Sequence, residues 1–126
     1  MKVLLDTHIL LWWLAEDPAL PAPAGEAIAN PDTTVMVSAA TAWEIAIKRA
    51  AGRIDAPDDL LDALRANDFD TLAITASHAL AAGDLPAHHS DPFDRVLVAQ
   101  ARAEGLTLVS VDGRFSDYDV DLLPLS

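Results

Sequence analysis

Apolar runs of strand length alternate along this chain with segments whose apolar residues recur at helical spacing. Lys2 to Asp6 is a short apolar run closed by a carboxylate, which predicts a buried strand. His8 to Ala15 reads as a helix. From Glu16 to Gly25 the chain is broken and restarted by Pro18, Pro21 and Pro23, and Glu26 to Asn30 completes a short helix. Thr33 to Val37 is β-branched and apolar and predicts the second strand. Ser38 is a cap for a helix over Ala39 to Ala51, with Gly52 as its stop. Within it Ala39, Trp43, Ala46, Ile47 and Ala50 fall on one face.

The second half repeats the alternation. Pro57 opens a helix through Leu60, Leu61 and Leu64, Leu72 to Ile74 is a short strand, and Thr75 to Ala82 is a short helix ending at Gly83. Asp91-Pro92 is a strong helix start, with Asp as cap and Pro in the first turn, and that helix runs to Glu104 and stops at Gly105. Leu106 to Val111 is a buried strand, and Val120 to Leu123 a final short one. Strands that alternate with helices imply an α/β fold, three layers α/β/α around a central, mostly parallel sheet. With 126 residues, no repeat and no linker, the chain reads as one domain over residues 1–126.

Composition narrows the chemistry. Hydrophobic residues make up 52% of the chain, enough to exclude global disorder. The absence of Cys removes disulfides, thiolate zinc sites, cysteine nucleophiles and iron–sulfur clusters. No apolar run reaches the roughly 18 residues that span a bilayer. Asp6 and His8 interrupt what would be a signal-peptide core, so the expected location is the cytoplasm. Eight basic residues against 20 acidic ones leave a net charge of −12, the wrong sign for a protein that holds nucleic acid mainly by neutralising phosphates. Excess acid of this kind serves solubility or clusters around a divalent cation.

Ligands of parallel sheets lie beyond the carboxyl ends of the strands. Four acids fall there or nearby: Asp6 closing the first strand, Glu44 in the helix after the second, Asp94 in the first turn after Asp91-Pro92, and Asp112 after the Leu106 to Val111 strand. Each has a simpler role available. Asp6 suits a helix cap, Glu44 an ion pair with Lys48, Asp94 the positive end of its helix, and Asp112 the turn before Gly113. Together, convergent carboxylates call for a cation, and all-oxygen ligation suits Mg²⁺ or Mn²⁺.

The chain resembles the PIN-domain ribonucleases of the VapC toxin type, from type II toxin–antitoxin pairs. The likeness rests on Leu4-Leu5-Asp6-Thr7-His8 and on Ser38-Ala39-Ala40-Thr41-Ala42-Trp43-Glu44-Ile45. It continues through His89-Ser90-Asp91-Pro92-Phe93-Asp94-Arg95 with Ala99-Gln100-Ala101, and ends with Leu108-Val109-Ser110-Val111-Asp112-Gly113-Arg114-Phe115. The Asp-Pro-Phe-Asp-Arg run is the most specific piece. The resemblance implies a PIN-like fold and a Mg²⁺- or Mn²⁺-dependent endoribonuclease. Asp6 and Asp94 are then expected as metal ligands, and Glu44 and Asp112 complete the catalytic pocket. Water activated at the metal cleaves the phosphodiester to a 5′-phosphate and a 3′-hydroxyl. The implied partners are RNA, a small cognate antitoxin and a second copy of the chain, with no membrane. Ser110 stands where the family often has Thr and keeps the hydroxyl; Thr7 and Ser110 are expected to orient water or a ligating carboxylate.

Arg95, Arg114, Lys48 and Arg49 are the basic residues nearest the acids and the candidates for RNA phosphates, with a solvated helix face the alternative for Lys48 and Arg49. His88 and His89 either touch substrate or form an exposed loop pair; metal ligation fits them less well beside so many carboxylates. Trp12 and Trp13 diverge by about 100° on a helix, one toward the core and the other toward a partner. Asp117, Asp119 and Asp121 are expected in solvent. Two other classes keep an acidic pocket on a small α/β domain. A receiver-like signalling domain needs paired acids at the first strand and a late Lys, and no Lys follows Lys48. A haloacid-dehalogenase-like phosphatase needs Asp at position 8, which is His. A PIN-like binding domain that had lost its chemistry would be expected to have lost an acid. A PIN nuclease of ordinary RNA processing, outside any toxin pair, remains the alternative.

Overall fold

The computed structural model describes all 126 residues. In chain order the elements are β1 (Lys2–Leu5), α1 (Thr7–Leu14), α2 (Ala22–Ala29), β2 (Thr34–Ser38), α3 (Ala39–Ala50) and α4 (Leu60–Ala66). There follow β3 (Asp70–Leu72), α5 (Ala76–Asp84), α6 (Pro92–Glu104), β4 (Thr107–Val109) and a 3₁₀ turn over Gly113–Asp117. The sheet has four strands in the order β3-β2-β1-β4, every pair parallel.

Side chains alternate across β1, and this builds two cores. Val3 and Leu5 join Val35, Val37 and Val109 on one face, covered by Ile9 and Leu10 of α1, Ala24 and Ile28 of α2, Ile45 of α3 and Leu64 of α4. Leu4 and Leu108 point the other way, onto Leu97, Val98 and Ala101 of α6 and onto Phe115 and Tyr118. Val3, Leu4 and Leu5 are wholly buried, so each contributes about 1.5–3 kcal/mol of burial. Helices therefore cover both faces of a parallel sheet, as the alternation requires. No helix is long and apolar enough to cross a membrane.

The helix signals operate as the residues suggest. Asp6, Ser38, Thr75 and Asp91 each accept from a backbone N–H of the first turn they cap, and Gly105 ends α6 in the left-handed conformation at φ 66°. Other expectations need correction. Pro23 lies inside the first turn of α2, where its missing N–H is harmless, so it starts the helix rather than breaking it. Pro57 does not open α4; Asp59 caps it two residues later, accepting from Asp62 N. The third strand falls on Asp70–Leu72 rather than Leu72–Ile74. Gly83 stays within α5, and the fifth strand shrinks to a single parallel bridge between Leu108 and Leu122. Pro124, which has no N–H to donate, follows at once.

The largest departure is in α3. The buried face carries Ala40, Thr41, Glu44 and Ile45. The apolar stripe of Ala39, Trp43, Ala46, Ile47 and Ala50 faces outward, with Trp43 62% and Ile47 45% exposed. Trp12 and Trp13 are both half-buried against the first core, and Trp13 Nε1 donates to Asn67 Oδ1 at 3.0 Å. Asp117, Asp119 and Asp121 face solvent, as expected.

Candidate acidic site at the carboxyl edge of the sheet

Parallel strands end on the same edge, and β1 lies between β2 and β4. The chain therefore leaves β1 between two neighbours whose connections depart in opposite directions, the crevice where ligands of such sheets bind. Asp6 follows β1 there and is 6% exposed. Its Oδ1 accepts from Ile9 N at 3.0 Å and its Oδ2 from the Ser110 hydroxyl, just beyond β4. Burial pushes the Asp6 carboxyl above its ordinary range, against the opposing pull of the Ser110 and Ile9 hydrogen bonds. Ser110 Oγ also accepts from Asp112 N at 3.0 Å, so one hydroxyl ties two acids together.

Glu44 reaches the same place from the second turn of α3 and is 5% exposed. Its Oε1 accepts from the Thr7 hydroxyl, and its Oε2 lies 2.6 Å from Lys48 Nζ. Asp94 comes from the first turn of α6, and its side chain is 18% exposed. Burial, followed by the charges of Asp91, Glu44 and Asp6, pushes its carboxyl up to about 7, with His89 pulling the other way. Asp112 behaves oppositely. Arg114 grips it through Nε and Nη2, with a shortest contact of 2.8 Å, and holds the carboxyl down at about 2.

The structure thus brings Asp6, Glu44, Asp94 and Asp112 to one crevice. It also gives all four their simpler roles at the same time: cap, ion pair with Lys48, first-turn acid of α6 and turn acid. A residue absent from the expected ligand set joins them. His89 is 5% exposed rather than part of an exposed pair, and its Nε2 lies 2.7 Å from Asp94 Oδ2 and 3.6 Å from Asp112 Oδ2. Ligand atoms of His89, Asp94 and Asp112 lie within 4.8 Å of one another. The 2.7 Å approach is close enough for an ion pair but misaligned for a hydrogen bond, so Nε2 is a buried polar atom with no aligned partner. The only hint in the sequence is a His pair before a helix cap; nothing there says that His88 stays outside, edge-on to Tyr118, while His89 turns in.

A divalent cation suits this donor set. The carboxylates are hard, acceptor-only ligands, and burial together with the charges of Asp91, Glu44 and Asp6 disfavours the ionised Asp94 until a cation offsets them. The basic residues fit their expected role less well. Arg95 does not face the crevice: Nη1 donates to the Pro86 and His89 carbonyls and Nη2 to those of Ala82, Gly83 and Leu85. Arg49 donates to the carbonyls of Pro57 and Asp58, tying α3 to the following loop. Arg95 corrects the expectation of a phosphate contact, because several carbonyls take up its planar guanidinium donors at once, whereas Arg49 stays exposed on α3. Lys48 and Arg114 remain at the rim, each paired with an acid and with side chains 27% and 60% exposed.

The PIN domain family model matches residues 3–121. Ribonuclease VapC22 of Mycobacterium tuberculosis is 35% identical over 119 residues, covering 92% of this chain and 91% of that protein. Among solved structures, VapBC2 from Rickettsia felis bound to a DNA fragment from its promoter aligns with a TM-score of 0.71 at 17% identity, covering 98% of each chain. FitAcB from Neisseria gonorrhoeae gives 0.64 at 16% identity over 98% and 97%. A toxin–antitoxin complex from Klebsiella pneumoniae gives 0.63 at 18% identity over 93% and 92%. These structural likenesses are likenesses of fold.

Proposed function

Because the chain belongs to the PIN domain family, we propose that it is a metal-dependent endoribonuclease and the toxin of a toxin–antitoxin pair. The observation that carries the chemistry is the convergence of Asp6, Glu44, Asp94 and Asp112 at the β1–β4 crevice, with Asp94 pushed up to about 7 by burial and then by its acidic neighbours. Asp6, Asp94 and Asp112 would hold Mg²⁺ or Mn²⁺, with Glu44 acting directly or through water. A cation bound there supplies Lewis acidity toward a phosphate oxygen and lowers the pKa of water.

The chain's own side chains do the remaining work. Ser110 and Thr7 restrain the rotation of Asp6 and Glu44 by donating to one oxygen of each. Lys48 and Arg114, paired with Glu44 and Asp112 at the rim, would meet the phosphates flanking the scissile bond. The toxin assignment draws support from the ribonuclease VapC22 relative and from the toxin–antitoxin complexes that share the fold. A net charge of −12 suits an antitoxin with a basic segment. The outward apolar stripe of α3 supports self-association into a homodimer.

Sequencing of RNA 5′ ends in cells just after induced expression tests the function, with Asp6→Asn as the control. New 5′-phosphate ends made only by the intact protein are expected, suppressed by co-expression of the small open reading frame beside the gene. Cleavage without such an antidote would indicate an RNA-processing nuclease outside any toxin pair. Identical 5′ ends with both proteins would refute nuclease activity on the RNAs of that cell.

A further inference from the structure

From Gly83 to Ser90 the chain is exposed or half-exposed except at one residue, His89. The structure holds that residue firmly. Tyr118 Oη accepts from His89 N at 3.0 Å and donates to Pro86 O at 3.0 Å. Arg95 Nη1 donates to His89 O at 3.2 Å. Both peptide groups of His89 are therefore pinned, and Arg95 fixes the preceding loop through four further carbonyls. Phe115, at the centre of the second core, lies 6.1 Å from the imidazole ring. Such anchoring is out of proportion to a loop whose neighbouring side chains lie in solvent.

The ring's hydrogen bonds say what it offers. Nδ1 accepts from Asp91 N at 3.3 Å. The proton of the neutral imidazole is then on Nε2, the atom that faces Asp94 Oδ2 at 2.7 Å and Asp112 Oδ2 at 3.6 Å. A metal-ligating imidazole has the reverse arrangement, with a bare nitrogen toward the ion and the other ring N–H donated to an acceptor. His89 thus turns an N–H toward two carboxylates, at contact distance from Asp94 though not aligned on it, in a crevice where the other nearby cations already have partners.

We propose that His89 is a positioning residue of the metal site, an outer donor that Arg95 and Tyr118 lock in place so that its Nε2–H sets the spacing and rotation of Asp94 and Asp112. The role rests on the metal-site reading above and adds to the four acids a residue that is not itself a ligand. It also accounts for Arg95, whose guanidinium serves the loop that carries His89, and for Tyr118, which no sequence pattern singled out.

The test uses the full chain and Mn²⁺ alone as the probe, read by calorimetry and by the electron paramagnetic resonance signal of free ion. His89→Leu, which fills the volume and removes the donor, is expected to weaken Mn²⁺ binding about 10–100-fold, the usual effect of losing an outer-shell partner. His89→Gln, which restores an N–H at similar reach, is expected to recover most of it. Tyr118→Phe leaves the ring in place but frees its peptide, and weaker Mn²⁺ binding is expected there too, which keeps the test open should the Leu variant fold poorly. Pulsed resonance of bound Mn²⁺ is expected to show no directly coordinated nitrogen. Wild-type affinity in a folded His89→Leu would overturn the proposal, and so would a strong nitrogen coupling abolished by that substitution, since His89 would then be a ligand. A wild-type chain that bound no Mn²⁺ would instead overturn the metal site itself.

Discussion

Asp94→Asn should make the metal-free protein more stable at neutral pH, although it removes a residue of the site. In the folded chain burial and the charges of Asp91, Glu44 and Asp6 hold the Asp94 carboxyl at about 7, against an ordinary 3.8. Below about pH 4 the group is protonated in both folded and unfolded chains and contributes nothing. Between about pH 4 and 7 the unfolded chain releases the proton that the folded site retains, so stability falls as pH rises. Above about pH 7 the full penalty is present. The difference between 3.8 and 7 corresponds to an upper bound of about 4 kcal/mol. Water at the open side of the crevice screens this to roughly 2 kcal/mol.

Asn keeps the shape and an acceptor for His89 and loses the charge. For a chain of this size roughly 2 kcal/mol is about 6–12 °C in Tm. Thermal melts of wild type and Asp94→Asn in chelator, at about pH 8 and about pH 4.5, measure it: the variant should melt higher at pH 8, and the gap should narrow in acid. Excess Mn²⁺ should reverse the order. A ligand at about a thousand times its Kd adds roughly 4 kcal/mol to the protein that binds it, and the variant lacks a charged ligand. A variant no more stable than wild type at pH 8 without metal would refute the reasoning, because neither burial nor the neighbouring charges would then penalise the ionised Asp94.

Two further outcomes follow from the same geometry. Ser110→Ala removes the hydroxyl that donates to Asp6 and accepts from Asp112 N. It should cost about 1–3 kcal/mol in urea unfolding, raise the Asp6 carboxyl further and weaken Mn²⁺ binding roughly tenfold, while Ser110→Thr should restore both. Ile47→Glu places a charge on the exposed apolar stripe of α3, away from the core. Light scattering should show a shift toward monomer with an unchanged Tm, and an unaltered mass distribution would remove α3 from the self-association surface.

Local signals in the chain determined much of this protein. The caps at Asp6, Ser38 and Asp91, and Gly105 after α6, act through bonds spanning a few residues, so their positions could be read directly. The alternation of strands and helices required a parallel sheet, and a parallel sheet puts Asp6 and Ser110 on one edge. Tertiary structure decided what depends on neighbours distant in sequence. The spacing of α3 shows an apolar stripe but not whether sheet or solvent lies against it, and here the buried side carries Ala40, Thr41, Glu44 and Ile45, with Glu44 accepting from the Thr7 hydroxyl 37 residues away. Arg95 looks like a phosphate contact in sequence until the carbonyls of the folded loop surround it. His88 and His89 are chemically identical neighbours. Only Tyr118 and Arg95, 29 and six residues away, determine which imidazole enters the acids. Such choices are made by long-range packing and hydrogen bonding, which leave no periodic trace in the order of residues.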